Sequence, residues 1–348
     1  MNSRSNYIDW FLCLVCLSLL AVGLLVIRSV APDQLGFQIV YALIAAIVFG
    51  IISFIDYRIW VSLNIPIYIV SIIFLLTPFM FGTHTRGTLR WLQFGQVSIQ
   101  PSELTKPFFV LTMAFLGASQ VKRRLLWTTG AFLLPATIVF IQPDLGTTLV
   151  YTVCFLTITA FNLPKKWLLS AFIVALLSLP LLWFSLRGYQ RDRLVTFLDP
   201  YSDPLGNGYH VIQSVISVGS GRFFGKGLGQ GTQSQLSFLP ERQTDFVFAS
   251  LAEELGLVGS SIILLLFAAL LWRIYVVADG SRDLVGKIYS LGVLSMVAFQ
   301  VFVNVGMNLG LVPVTGITLP FLSYGGSSLM SVAISLGLVH SIFRHNRV

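Results

Sequence analysis

Charge is what this chain has little of: of 348 residues, only 10% are Asp, Glu, Lys or Arg. A soluble domain typically carries about 25% charged residues, so too few remain here to cover a water-facing surface. Cysteine is scarcer, with three residues, and Cys13, Cys16 and Cys154 all fall inside apolar runs. That placement excludes a disulfide framework and leaves free buried thiols. The four histidines are not placed for a catalytic triad. No H-E-x-x-H, Cys-His cluster, EF-hand loop or G-x-S-x-G elbow occurs, so no structural metal site or hydrolase elbow is legible. The net charge of +8 comes without a basic stripe interleaved with aromatics, which excludes a nucleic-acid partner.

What the chain has instead is hydrocarbon: 55% of residues are hydrophobic and the mean hydropathy is +0.83. Apolar runs of roughly 20 residues, enough to cross a bilayer as a helix, recur throughout. The expected fold is an all-α polytopic membrane protein forming a single integral membrane domain over 1–348. Runs and breakers give ten spans, near 9–29, 37–55, 62–81, 103–119, 126–142, 145–162, 167–186, 246–272, 286–310 and 326–343. The first run reads as a retained span, since one basic residue, Arg4, precedes it and no Ala-x-Ala site follows.

Ten spans put both termini on one side, with the connections at 56–61, 120–125, 163–166 and 273–285. That side holds twelve basic and four acidic residues, the whole of the +8, while ten of each sign balance on the other. The positive-inside rule therefore places both termini in the cytoplasm. Two long loops are then extracellular, near 82–102 and, between spans seven and eight, 187–245. Most of the outer basic residues lie in them, serving either lipid headgroups or a site.

Four outer constellations carry chemistry. The first is Arg86-Gly87-Thr88-Leu89-Arg90-Trp91 with Gln100-Pro101-Ser102-Glu103-Leu104-Thr105-Lys106. Pro101-Ser102-Glu103 reads as a helix start. Lys106 shares a helix face with Glu103, and an ion pair just inside a membrane helix usually faces a cavity. The second is Gln142-Pro143-Asp144-Leu145-Gly146-Thr147, where Asp144 either caps the next helix or serves a site.

The third is the long loop, with Arg187, Arg191 and Arg193 and then Gly225-Lys226-Gly227-Leu228-Gly229-Gln230-Gly231-Thr232. A nucleotide P-loop fails on spacing. The repeated glycines are either flexible filler or a backbone cradle for an anion. The fourth closes that loop: Leu239-Pro240-Glu241-Arg242-Gln243-Thr244-Asp245-Phe246, with Glu253-Glu254 following. Asp245 stands where an apolar run begins, and a carboxylate at the edge of hydrocarbon is costly and usually functional. Near the C-terminus, Asn304, Asn308, Pro313-Val314-Thr315-Gly316 and Leu319-Pro320-Phe321-Leu322-Ser323-Tyr324-Gly325-Gly326-Ser327-Ser328 form a further polar outer region. Its helix breakers need internal partners.

In this order the blocks resemble the SEDS family (shape, elongation, division and sporulation). They run Arg-Trp at 90–91, Gln-Pro-Ser-Glu with Lys106, Gln-Pro-Asp-Leu-Gly-Thr, Gly-Lys-Gly, Leu-Pro-Glu-x-x-Thr-Asp-Phe, Glu-Glu-x-Gly and Pro-Phe-x-Ser-Tyr-Gly-Gly-Ser-Ser. The stretch from Gly229 to Leu236 is more similar to the RodA branch than to FtsW, and Arg222 departs from a position where the family often has Gly. The resemblance implies a peptidoglycan glycosyltransferase of the bacterial cytoplasmic membrane that polymerises lipid II at the outer face. It puts the essential acid on Asp245, as base or as ligand to a divalent cation (Mg or Mn), with no organic cofactor. Arg90, Glu103, Lys106, Arg191, Arg193, Lys226, Glu241 and Ser323 become the expected substrate contacts. A class B penicillin-binding protein is the implied partner. A lipid II flippase and a non-catalytic cell-wall scaffold are the competing readings. Charges gathered on the outer face, not at the midplane, favour chemistry over transport.

Overall fold

The structure, a computed structural model, describes residues 8–85, 88–95, 97–119, 123–162, 188–204, 206 and 208–345. Nine of the ten expected spans coincide with helices among the described residues: α1 (Trp10–Val30), α2 (Pro32–Phe54), α4 (Asn64–Phe81), α5 (Pro101–Ala118), α6 (Arg124–Ile141), α7 (Leu145–Asn162), α11 (Val247–Asp279), α12 (Leu284–Asn308) and α13 (Gly326–His345). The expected span at 167–186 lies outside the described residues. A short helix, α3 (Tyr57–Ser62), precedes α4, and the long outer loop carries α8 (Gly188–Leu198), α9 (Tyr209–Ser220) and α10 (Thr232–Gln235).

Seven of these helices are long and apolar enough to cross a membrane. Their burial sorts them: 83% of the α13 window is enclosed by protein against 22% for α2 and α4, so α13 is central and α2 and α4 face lipid. Helix α5 is not among the seven, because Ser102, Glu103, Thr105 and Lys106 dilute its hydropathy. It can hold those polar groups because α4, α6, α7, α12 and α13 surround it. Stacked rings pin that centre, Phe109 on Tyr151 and Phe132 on Phe155, each with centroids 4.3 Å apart. Close approach is also bought with small residues: a Cβ on Gly23 of α1 would strike the backbone at Phe321 and Leu322.

The first outer loop adds a strand element to the otherwise helical fold. Strands β1 (Thr83–Thr85), β2 (Thr88–Phe94) and β3 (Val97–Ile99) form an antiparallel meander in that order, with Leu92 opposite Ile99 and Phe94 opposite Val97. The turn between β2 and β3 uses Gly95 at φ +61°, which glycine adopts freely. This hairpin delivers Arg90 to the bundle.

Candidate functional site at the outer ends of the helices

The segment Glu241–Phe246 is a compact turn ahead of α11. The amides of Thr244 and Phe246 both donate to the Glu241 carbonyl, at 3.0 and 3.2 Å, with Glu241 at φ +52°. Two asparagines one turn apart on α12 hold the end of this turn. Asn304 and Asn308 each donate a side-chain N–H to the Asp245 carbonyl at 3.1 Å. Asn304 also donates to the Ile317 carbonyl at 2.8 Å, and the Asn308 Oδ1 accepts from the Ala249 amide at 2.9 Å. One apolar helix thus fixes the backbone of Asp245, the first turn of α11 and the 309–325 segment together.

The side chain of Asp245 is half-buried and lies over Gly316, where an added Cβ would stand 3.6 Å from its Oδ2. Gly316 has φ +75°, so a side chain there would be strained. Ser323 stands behind the turn: its Oγ donates to the Thr244 carbonyl at 2.7 Å and accepts from the Leu319 amide at 2.8 Å. The Tyr324 amide donates to the Gln243 carbonyl at 2.7 Å. Ser323, expected as a substrate contact, is buried and spends its hydroxyl on positioning the Asp245 turn.

On the other side of residues 315–317 sits a second carboxylate. A Cβ on Gly146 would lie 2.8 Å from Ile317 Cγ1 and 3.0 Å from the Thr315 carbonyl, so the 142–147 turn abuts this segment. Asp144, the residue that turn presents, accepts from Gln100 Nε2 at 2.7 Å, Ser102 Oγ at 2.9 Å and the Thr147 amide at 3.2 Å. Arg90 pairs with it at 3.4 Å. Asp144 therefore both caps α7 and gathers Gln100, Ser102 and Arg90 around itself. Burial pushes its pKa up, but Arg90, the Thr147 bonds and Lys106 outweigh that and hold it below the ordinary aspartate range. The Ser102 hydroxyl goes to Asp144, and the start of α5 has no side-chain cap.

Lys106 donates to Glu103 at 2.6 Å, and both side chains are buried, 2% and 9% exposed. A pair this enclosed is costly unless every remaining polar atom is satisfied. Glu103 Oε2, Arg90 Nε and Thr315 Oγ1 are buried without a hydrogen-bond partner among the described residues. Such orphaned atoms are expected where a polar ligand completes the site.

The long loop reaches the same segment. Arg193 on α8 donates to the Val314 carbonyl at 3.1 Å, and Arg191 lies half-buried on the same helix. Glu241 accepts from Thr244 Oγ1 at 3.0 Å, and His210 stacks on Phe246 with ring centroids 6.2 Å apart. Burial lowers the His210 pKa, Glu241 opposes and Arg193 assists, for a net downward shift.

Lys226 is placed differently from expectation. Its ammonium lies 2.8 Å from Glu253 and 2.8 Å from Thr232 Oγ1. The amides of Lys226, Gly227 and Gly229 donate to Glu253 O, Glu254 O and Ser29 Oγ at 3.0, 2.9 and 2.9 Å. The glycine stretch is therefore not an open anion cradle. Its amides are committed to protein acceptors, and glycine is required because a Cβ at Gly225 would strike the Glu254 carbonyl. Asn304 and Asn308 are the positioning residues that sequence reasoning left without this role, although an i, i+4 asparagine pair in an apolar helix was a usable signal.

Among the described residues, no group of three or more His, Cys, Asp or Glu gathers to hold a metal. A carboxylate such as Asp245 offers the hard oxygen donors that divalent cations such as Mg and Mn take, usually alongside waters and substrate phosphates.

Fold and site together define a multi-pass helical membrane protein with a polar, carboxylate-centred site at one end of its bundle. The family model describing the FtsW/RodA/SpoVE cell cycle proteins matches residues 9–348, and this chain belongs to that family, the SEDS family. It is 40% identical to the peptidoglycan glycosyltransferase MrdB of Escherichia coli K12 over 355 residues, covering 98% of this chain and 95% of the relative. It is 37% identical to stage V sporulation protein E of Bacillus subtilis over 375 residues, covering all of both chains. Among solved structures, one chain of a peptidoglycan synthase complex that coordinates polymerization and crosslinking superposes with TM-score 0.85 at 32% identity, covering 98% of this chain and 99% of that one. The rod shape determining protein RodA of Thermus thermophilus superposes with TM-score 0.74 at 28% identity, covering 99% of each.

Proposed function

We propose that this chain is a peptidoglycan glycosyltransferase that polymerises lipid II at the outer face of the bacterial cytoplasmic membrane, with Asp245 as the base. The observation that carries the reading is the Asp245 turn. Its backbone is clamped by Asn304 and Asn308, and its carboxylate lies over Gly316, in the segment that the Gly146 turn abuts and Arg193 bonds. Glycan extension forms a bond between an acceptor sugar hydroxyl and the anomeric carbon of the donor, as the bond from that carbon to the lipid pyrophosphate breaks. Asp245 takes the hydroxyl proton. Removing one positioned base of this kind typically costs about 100- to 10,000-fold in rate. Attack opposite the leaving group inverts the anomeric centre.

The negative charge that develops on pyrophosphate needs fixed cations. Arg90, Lys106, Arg191 and Arg193 are the outer-side candidates, with Glu103 orienting Lys106 through their 2.6 Å contact. Glu241 braces the turn and Lys226 contributes through the Glu253 clamp. In the alternative role Asp245 would be the ligand of a divalent cation, Mg or Mn, which would neutralise part of that charge. The names of the similar proteins, glycosyltransferase and rod shape determinant, support polymerisation in cell elongation more than in division. The synthase complex supports a crosslinking partner, a class B penicillin-binding protein.

The test supplies lipid II to purified wild-type and Asp245→Ala protein, each with and without such a transpeptidase. Polymer from the wild type and at least a 100-fold loss in the variant is the expected result. Strong polymerisation by Asp245→Ala would remove the base assignment, and lipid II crossing the bilayer without polymer in either sample would favour a flippase.

A further inference from the structure

Helix α11 is broken at Gly256, whose φ of 67° and ψ of −166° are not helical. In an unbroken helix the Leu257 and Val258 amides would donate to the carbonyls of Glu253 and Glu254. Here both donors and both acceptors turn to one segment of the long loop. Leu257 N and Val258 N donate to Arg222 O and Phe223 O at 2.8 and 3.0 Å, while Lys226 N and Gly227 N donate to Glu253 O and Glu254 O at 3.0 and 2.9 Å. Residues 222–229 are thus threaded into the hydrogen-bond ladder of a membrane helix. Within the segment Gly225 N is satisfied by Gly221 O at 2.8 Å, and Gly229 N by Ser29 Oγ at 2.9 Å.

The depth of this insertion follows from the helix. Arg273, paired with Asp9 at 2.7 Å, marks the inner end of the α11 span. About 30 Å of hydrocarbon is about twenty residues at about 1.5 Å each, which ends near Glu253. The Phe223–Gly227 contacts with 253–258 therefore lie at the outer boundary of the hydrocarbon. Non-helical backbone is tolerated there only when its polar groups are paired internally, and the carbonyls of Arg222 and Phe223 and the amides of Lys226 and Gly227 are paired with the helix.

The side chains face away from the protein. Phe223 and Phe224 are 66% and 84% exposed, continuous with Leu257 and Ile262 on the lipid side of α11 at 56% and 54%. Arg222 is also exposed beside them, suited to the headgroup level. In water this pair of aromatics would be an unexplained apolar patch.

We propose that residues 222–229 form a membrane-inserted strap whose Phe223 and Phe224 contact outer-leaflet acyl chains. The strap fixes the height of the outer loop against the bilayer, through the same α11 whose first turn follows Asp245.

The experiment reads depth directly. Phe224→Cys, Phe223→Cys and Tyr201→Cys, the last on an outer-loop side chain 76% exposed, are labelled with bimane in detergent and reconstituted into phosphatidylcholine vesicles. The unsubstituted chain, with its three cysteines, gives the blank. Labels at 223 and 224 should lose at least two-fold intensity with brominated phosphatidylcholine and little with aqueous iodide, and the label at 201 should do the reverse. Iodide quenching at 223 and 224 equal to that at 201 would overturn the proposal. So would indifference to both quenchers, which would mean that protein covers the aromatics.

Discussion

Gly316 holds a backbone at φ +75° beneath the Asp245 carboxylate, where an added Cβ would sit in ordinary contact, 3.6 Å from Oδ2. Gly316→Ala should cost about 1–2 kcal/mol of conformational strain, and relief of that strain would shift the 315–317 backbone beneath the base. Steady-state polymerisation should then show kcat falling about 10-fold or more while KM for lipid II changes little, since misplacement of a reacting group acts on the chemical step. An unchanged kcat would mean that the reacting carboxylate does not depend on the Gly316 backbone beneath it. Asp144 makes a separate prediction, about pH. Its folded pKa is depressed despite burial, through Arg90, Thr147 and Lys106. A depressed carboxylate contributes stability that is complete above its unfolded pKa, about 3.9, and lost only as pH falls through the lower folded value. Asp144 therefore stays ionised throughout about pH 5 to 8, and Asp144→Asn should lower the rate without moving the limbs of the pH–rate profile. A shifted acid limb would assign that titration to Asp144.

Helix α11 shows how far the sequence was legible at the scale of elements. Its existence and apolar body follow from composition, but its break at Gly256 does not, because a lone glycine inside a helical pattern is usually tolerated. In the sequence the strap that fills the break is open between flexible filler and an anion cradle, since a cradle and a helix break demand the same glycines. The partner of Lys226, Glu253, lies 27 residues away and only folding brings it to 2.8 Å. The hairpin carrying Arg90 escaped for a different reason. Its strands are three to seven residues long and sit between strong helical signals. By contrast Asp245, Asp144 and the Glu103–Lys106 pair were visible, because charge beside hydrocarbon is conspicuous in one dimension. The clamp reading of Lys226 has its own consequence. Glu253 is fully enclosed and accepts from Lys226, Gln233 N and Ser234 N, whereas the Lys226 side chain is 28% exposed. Lys226→Ala should therefore destabilise by about 1–3 kcal/mol, below the usual cost of orphaning a deeply buried charge. Thermal unfolding in detergent should drop by several degrees and Lys226→Gln should recover part of the loss. KM for lipid II should change less than about three-fold, since an interaction that binds no substrate leaves KM alone. A large rise in KM with unchanged unfolding would return Lys226 to the substrate.

At the scale of the whole molecule, the charge distribution and the site impose one orientation. On the ten-span topology expected from the sequence, the +8 lies wholly with the termini and the short connections on their side, and the other side balances. Short basic connections are retained on the cytoplasmic side during insertion. The Arg273–Asp9 pair, with Asp9 N bonded to His340 at 3.0 Å, sits at that inner end, while Asp245, Asp144 and Lys106 gather at the other. A polymerase whose product is built outside the cell must have the second group facing out, so the topological and chemical arguments agree without sharing a premise. Thiols placed on each side separate them from an inverted arrangement. Tyr201 in the long loop is 76% exposed, and the Asp279 side chain, at the end of α11, is 67% exposed. In intact spheroplasts, a membrane-impermeant maleimide should modify Tyr201→Cys within minutes and leave Asp279→Cys unmodified until the membrane is permeabilised. Modification of Asp279→Cys in sealed cells would place the termini outside. It would also put Asp245 on the side where the growing strand cannot be.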